Sequence, residues 1–314
     1  MPENERTTSS PDWPRIAVLG AGAVGCYFGG LLARAGAPVT LIGRANHVQA
    51  LAEKGLFLES TNFRGYIPVS ASTDVAAVRD ADIVLFCVKT LDTEDAARLL
   101  RPHLAGGAVV VSLQNGVDNV ERIRSASGIE ALPAVVYVAA EMSGPGRLKH
   151  NGRGDLVVRA DNVAAVFRRA GIPCVISTNI EGELWMKLIM NCAYNAISAL
   201  ARSTYQRIVE DPGARHVMIQ AVKETVAVAS AAGVQLPQVD AVEAAFQLAR
   251  AMAGAISSTA QDLARGKRTE IDSLNGYVVR RGEELGVPTP VNHTLHALVK
   301  VLEKSMTGNS GTDS

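Results

Sequence analysis

A turn of three glycines, Gly20-Ala-Gly22-Ala-Val-Gly25, follows a strand candidate at 15–19 and opens a helix-compatible segment at 24–35. Few short patterns restrict a chain as strongly. The first glycine allows a tight turn out of a strand, the second lets backbone approach a pyrophosphate, and the third permits close helix packing. Free N–H groups at the start of the helix then form an anion site. The pattern predicts a βαβ unit that holds a dinucleotide at Gly20, Ala21, Gly22, Ala23, Val24 and Gly25.

The same stretch could be mistaken for a membrane span, because 18 uncharged residues separate Arg15 from Arg34. Five of them are glycines, and the run changes character midway, so strand, turn and helix explain it better. The polar first dozen residues lack the apolar core of a secretory signal and read as a disordered tail. Lys plus Arg and Asp plus Glu are both 31, so no general pull toward nucleic acid or anionic membrane is expected. Four scattered cysteines, Cys26, Cys87, Cys174 and Cys192, form no metal-ligand spacing and suit a reducing cytoplasm. No metal is expected.

Short β-branched runs at 15–19, 39–42, 83–88 and 109–113 alternate with helical segments at 24–35 and 47–54, which implies a parallel sheet. Further strands are expected at 134–141, 155–159 and 173–177, with turns at SGPG and NGRG. After Ile180 the texture becomes Ala-rich and helical, at 183–201, 212–232, 239–264, 270–285 and 292–304. The expected fold is α/β: a Rossmann-type doubly wound sheet at 14–180, then an all-helical domain at 181–306. Residues 1–13 and 307–314 read as tails.

An acidic residue at the end of the second strand would accept the adenosine ribose hydroxyls. LIGRANH has none there and carries Arg44 instead, whose guanidinium suits a 2′-phosphate, so NADP(H) is the expected cofactor. The alternative is that Arg44 is a solvated loop residue. Lys89 and Asn115 follow later strand ends, where ligands bind in doubly wound sheets. A returning surface lysine and a turn before Gly116 are the plainer readings of these two.

Lys187, Asn191 and Asn195 fall four residues apart and share one helical face, drifting by about 80° over the set. Asparagine is a poor helix former, so two in register with a lysine among Leu, Ile, Met and Trp require an explanation. An exposed polar stripe with a Glu183–Lys187 ion pair is the simpler one. Downstream, Thr269-Glu-Ile-Asp272 reads as a capping box, with Glu270 in the first helical turn where the dipole favours a carboxylate. A plain N-terminal helix charge is the competing reading of Glu270. Asp262 and Asp272 read as structural.

LWMKLIMNCAYN, QDLARGKRTEIDSLNGYVVRRG, GVPTPVNHTL and the amino-terminal GAGAVGCYFGGLLARAG together resemble the ketopantoate reductase (2-dehydropantoate 2-reductase) family, over roughly residues 16–302. The resemblance implies NADPH-dependent reduction of ketopantoate to pantoate, toward pantothenate and coenzyme A. It also implies substrate in a cleft between the two domains. Matched residue by residue, Lys187 becomes the catalytic lysine and Glu270 the acidic partner. Asn115, Asn191, Asn195 and Ser258 become substrate residues, with Asn115, Lys89 and Arg44 on the cofactor side. Two positions depart from the pattern: Ala255 stands where pantoate-forming members typically have Asn, and Ala196 where Pro often follows. Another small 2-oxo acid is therefore the alternative substrate. A non-catalytic NADP sensor is disfavoured, since it would need neither Lys187 nor Glu270. The expected partner is the small oxo acid alone, and a homodimer is a possible assembly.

Overall fold

The computed structural model describes residues 13–308, and side chains through 306. Residues 1–12 and 309–314, most of the two expected tails, lie outside the described residues. Trp13, placed in the tail by sequence, is packed: the Arg169 guanidinium lies 3.9 Å from its ring centre. The chain divides into two compact units. One contains 13–88, 92–114 and 120–177, and the other 89–91, 115–119 and 178–308.

The first unit is a mixed sheet with helices. Its strands are β1 (Ile16–Leu19), β2 (Val39–Ile42), β3 (Leu56–Ser60), β4 (Phe63–Ile67), β5 (Ser70–Ser72), β6 (Ile83–Phe86), β7 (Val109–Ser112), β8 (Ala131–Gly144), β9 (Arg147–Val158) and β10 (Cys174–Ile176). Helices α1 (Ala23–Arg34), α2 (Ala45–Lys54), α3 (Thr93–Leu100), α4 (Asn119–Ser127) and α5 (Asp161–Arg169) connect them. The sheet order is β4-β3-β9-β8-β7-β6-β1-β2-β5, with β10 beside β9.

From β1 the chain runs outward through β2 to β5, then returns to build β6, β7 and β8 on the other side, all parallel. The order reverses between β1 and β6, the switch point where doubly wound sheets bind ligands. Alternate residues explain why these strands are apolar throughout. Ile16, Val18, Ile83 and Leu85 enter one core and Ala17, Leu19, Val84 and Phe86 another, so both faces of the sheet are covered.

The sheet has a larger antiparallel part than the sequence predicts. β8 and β9 form one long hairpin around the SGPG turn. NGRG is not a turn: Gly152 and Arg153 pair with Ala139 and Val138 inside the ladder, with register shifts on either side. Irregular pairing lets the ladder continue through the glycines.

The second unit is helical: α6 (Ile180–Ala201), α7 (Tyr205–Glu210), α8 (Pro212–Ala231), α9 (Ala241–Ala251), α10 (Ser258–Ala264), α11 (Asn275–Leu285) and α12 (Pro290–Gly308). α6 is its central helix, with Ile189, Ala193, Tyr194 and Ile197 buried against Met218, Val222, Leu263, Leu295 and Val299. The expected single helix at 239–264 is broken between α9 and α10. Ala253 and Ala255 carbonyls accept from Gln206 N and Tyr205 N, and Ser257 caps α10 by accepting from Ala260 N at 3.1 Å. Those external partners end one helix and start the next. Likewise the expected helix at 270–285 begins only at Asn275, after a 3₁₀ turn at Ile271–Ser273.

Candidate active site

The glycine turn lies between β1 and α1 as the pattern requires. Gly20 has φ +107°, and a Cβ there would fall 2.6 Å from the Cys87–Val88 peptide. At Gly25 a Cβ would fall 2.8 Å from Val18 Cγ1, so only glycine lets α1 close on β1. Gly22 is different. Its Cβ position is open space, it caps α1 without a side-chain hydrogen bond, and the first turn of α1 has no acid. A helix N-terminus with uncapped N–H groups facing open space fits a pyrophosphate. Gly20 N and Ala21 N are spent on Ile42 O at 3.0 and 2.9 Å, which fixes the turn against β2.

Arg44 follows β2 as the N-cap of α2 and is exposed. Among the described residues its guanidinium has no acidic partner. The residue before it, Gly43, packs on the glycine turn: a Cβ there would meet Ala21 Cβ at 2.9 Å. The first unit therefore holds an anion-ready turn and a nearby guanidinium, which fits a dinucleotide. Gln114, beside the predicted Asn115, is structural: its amide donates to Val88 O at 3.2 Å and to Thr93 Oγ1 at 2.8 Å.

In the second unit the strand-end segments 89–91 and 115–119 join α6 and the loop before α11. Lys187 Nζ on α6 donates to Asn115 Oδ1 at 2.8 Å. Asn115 Nδ2 donates to Glu270 Oε2 at 3.1 Å. Glu270 Oε1 accepts from Thr90 N at 3.0 Å, with Thr90 Oγ1 also at 3.0 Å. The Thr90 hydroxyl lies 3.2 Å from Asn115 O as well, so its single proton serves one oxygen at a time. Asn119 Nδ2 supports the same carbonyl at 2.6 Å. Ammonium, amide and carboxylate thus form one connected line.

The line overturns the predicted capping box. Glu270 precedes a 3₁₀ turn and does not sit in the first turn of an α-helix. Thr269 Oγ1 does accept from Ile271 N at 3.2 Å, but Thr269 N donates to Glu303 Oε1 at 2.7 Å. Asp272, which would complete the box, is instead taken by His296 at 2.7 Å and Lys300 at 2.8 Å. These partners hold the Asp272 carboxyl well below the usual carboxylate range, with the His296 hydrogen bond the largest cause. Thr90 gave no sequence signal, because its partner is 180 positions away.

Lys89 Nζ pairs with Asp262 Oδ2 at 2.8 Å and donates to Arg268 O at 3.3 Å, so it ties the loop before Glu270 rather than standing free. Asn191 is half-buried and Asn195 is 3% exposed; among the described residues neither amide hydrogen-bonds another protein group. Ser257 Oγ donates to Asn195 O at 3.0 Å, which locks α10 to α6. The predicted Ser258 is the exposed first residue of α10.

Two family models cover most of the chain. Residues 16–162 match "Ketopantoate reductase PanE/ApbA" and residues 179–303 match "Ketopantoate reductase PanE/ApbA C terminal". The chain belongs to the ketopantoate reductase family. A 2-dehydropantoate 2-reductase of Halobacterium salinarum is 36% identical, covering 92% of this chain and 99% of its own. One from Pyrococcus horikoshii is 32% identical over 94% and 99%. The crystal structure of a PanE/ApbA family ketopantoate reductase from Ralstonia eutropha is 52% identical with a TM-score of 0.90, covering 93% of this chain and 99% of that one. The family is one of pyridine-nucleotide-dependent oxidoreductases that act on a small keto acid. Among the described residues no helix is long and apolar enough to cross a membrane, and no group of His, Cys, Asp and Glu could hold a metal ion.

Proposed function

We propose that this ketopantoate reductase homologue reduces 2-dehydropantoate to pantoate with NADPH in the cytoplasm. The observation that carries the reading is the Lys187–Asn115–Glu270 line, with the buried, unspent Asn195 amide on the same helix. Arg44, which has no acidic partner among the described residues, supports the phosphorylated cofactor over NADH. Four free cysteines support a reducing compartment.

Bound NADPH supplies the hydride that converts the carbonyl carbon to an alkoxide carbon. Lys187 stabilises the negative charge growing on the carbonyl oxygen and donates the proton that completes the alcohol. Asn115 fixes the ammonium, and Glu270 fixes Asn115. Only one orientation of the Asn115 amide satisfies both neighbours, with Oδ1 toward the ammonium and Nδ2 toward the carboxylate. Asn191, Asn195 and Ser258 hold the carboxylate and hydroxyl of the substrate.

Ala255 favours a second reading, reduction of another small 2-oxo acid. Its backbone is pinned by Met252 O and Tyr205 N, and its methyl offers no hydrogen bond where pantoate-forming members typically present an amide. The test is loss of NADPH absorbance with purified protein against a panel of 2-oxo acids. Ketopantoate turning over with the highest kcat/KM supports the first reading; a less hydroxylated acid doing so supports the second.

A further inference from the structure

The imidazole of His47, in the first turn of α2, joins three segments of the sheet unit. Gly146 N, in the tight turn between β8 and β9, donates to Nδ1 at 2.9 Å. Nε2 lies 3.3 Å from Cys26 Sγ on α1, and Sγ donates to Ala21 O at 3.4 Å. The contacts settle the protons. An amide donating to Nδ1 needs a lone pair there, so the neutral ring carries its proton on Nε2. Nε2–H then donates to Sγ, and the thiol proton goes to Ala21 O. Burial pushes the Cys26 thiol up to about 12 and lowers the His47 pKa, so both groups stay uncharged near neutral pH.

The two ends of this chain give it a function. Ala21 belongs to the glycine turn. His47 N and Val48 N both donate at 3.0 Å to the carbonyl of Arg44, so the imidazole rides on the backbone that carries the guanidinium. The third anchor is firm. Gly146 has φ +66°, its carbonyl accepts from Phe57 N at 2.9 Å, and a Cβ on it would come within 3.1 Å of Ala50 Cβ.

We propose that His47 and Cys26 are positioning residues that fix the spacing between the glycine turn and Arg44, and thereby set the preference for NADPH over NADH. The inference rests on Arg44 reading the 2′-phosphate, as argued above. Neither residue touches the cofactor. A dinucleotide with two anionic groups needs both anchors at one fixed separation, so a small slip of either costs it affinity. NADH engages only the glycine turn and is less sensitive to that slip.

The experiment is steady-state kinetics with NADPH and with NADH on the wild type, Cys26→Ala, Cys26→Ser, His47→Asn, Arg44→Ala and the Cys26→Ala/His47→Asn pair, alongside thermal melts. Loss of one neutral hydrogen bond should raise KM for NADPH about fivefold in Cys26→Ala, with kcat held within about twofold and KM for NADH moving less. Cys26→Ser should recover most of the loss, because a hydroxyl also accepts from His47 and donates to Ala21 O. His47→Asn keeps an acceptor for Gly146 but does not reach Sγ, so it should match Cys26→Ala, and the pair should be no worse than either. Should Cys26→Ala fail to fold, His47→Asn carries the same comparison. Unchanged cofactor preference in these variants, while Arg44→Ala abolishes it, overturns the inference and leaves the cofactor reading intact. Arg44→Ala that keeps the wild-type preference overturns both.

Discussion

Asn115 Oδ1 accepts from Lys187 Nζ at 2.8 Å across 72 positions of sequence, while the other end of the same amide donates to Glu270. A primary amide accepts from the ammonium at its oxygen and donates to the carboxylate at its nitrogen, at the two ends of one planar group. Asn115→Asp should therefore do more harm than its size suggests. It keeps an acceptor for Lys187 but sets a second carboxylate against Glu270, and two such groups cannot both ionise cheaply. At pH 7 kcat should fall at least about tenfold, equivalent to ~1.4 kcal/mol in the barrier. The deficit relative to wild type should shrink as pH is lowered and the pair shares a proton. A constant deficit from pH 5 to pH 8 would show that the Asn115–Glu270 contact does not govern the site.

Lys187→Ala removes the acid and the oxyanion partner together. The expected loss in kcat is about 10²- to 10⁴-fold, with NADPH still bound through the glycine turn. Lys187→Arg should recover little, because a guanidinium keeps the charge but hardly gives up a proton. Near wild-type kcat in Lys187→Ala on its best substrate would return the lysine to an ordinary helix-surface role.

The sequence carried the parts of this site that are local. The glycine turn, the buried strands and the α6 register follow from spacing alone, because each is decided within one element. What it did not carry is set by distant partners. Glu270 looks like a helix-cap residue until Thr90 and Asn115 claim both its oxygens. Asp272 looks like a capping-box member until His296 and Lys300 take it. Lys89 reads as a strand-end lysine on the cofactor side, and its ion pair with Asp262 is set by a partner 173 positions away. β4 carries no sequence signal because FRGYI has exposed residues at every second place and no apolar run.

Arg44→Ala should weaken NADPH by about 1.5–3 kcal/mol, the worth of a hydrogen bond to a charged group, and leave NADH nearly unchanged. Fluorescence titration of both cofactors reads the difference directly. Equal losses for the two would remove the guanidinium from the cofactor site.

Asp272 gives a pH dependence of stability with a definite sign. Its folded-state pKa is depressed by His296 and Lys300, so the stability it contributes is present above the ordinary carboxylate pKa and is lost as pH falls below it. Asp272→Asn should cost about 1–3 kcal/mol at pH 7 in urea melts. The gap between variant and wild type should close as the buffer is taken below about pH 4. A gap that stays constant into acid would mean the carboxylate charge is not what His296 and Lys300 recognise.

Asn195 separates what the fold needs from what the substrate needs. Its side chain is 3% exposed, and among the described residues its amide bonds no protein group, while its carbonyl is held by Ser257. Such an amide adds little to stability, because it makes no hydrogen bond within the protein. Asn195→Leu, close in size and apolar, should therefore change the unfolding free energy by less than about 1 kcal/mol. The same substitution should raise KM for the 2-oxo acid roughly tenfold, about 1.4 kcal/mol, since it removes a group whose partner is the substrate. KM for NADPH should stay within about twofold, because that affinity depends on the sheet unit. The half-buried control is Asn191→Leu, which should move KM in the same direction with still less effect on stability. An Asn195→Leu protein that loses several kcal/mol of stability and keeps its KM would make the amide a structural one, and the shared helical face with Lys187 would lose its functional meaning.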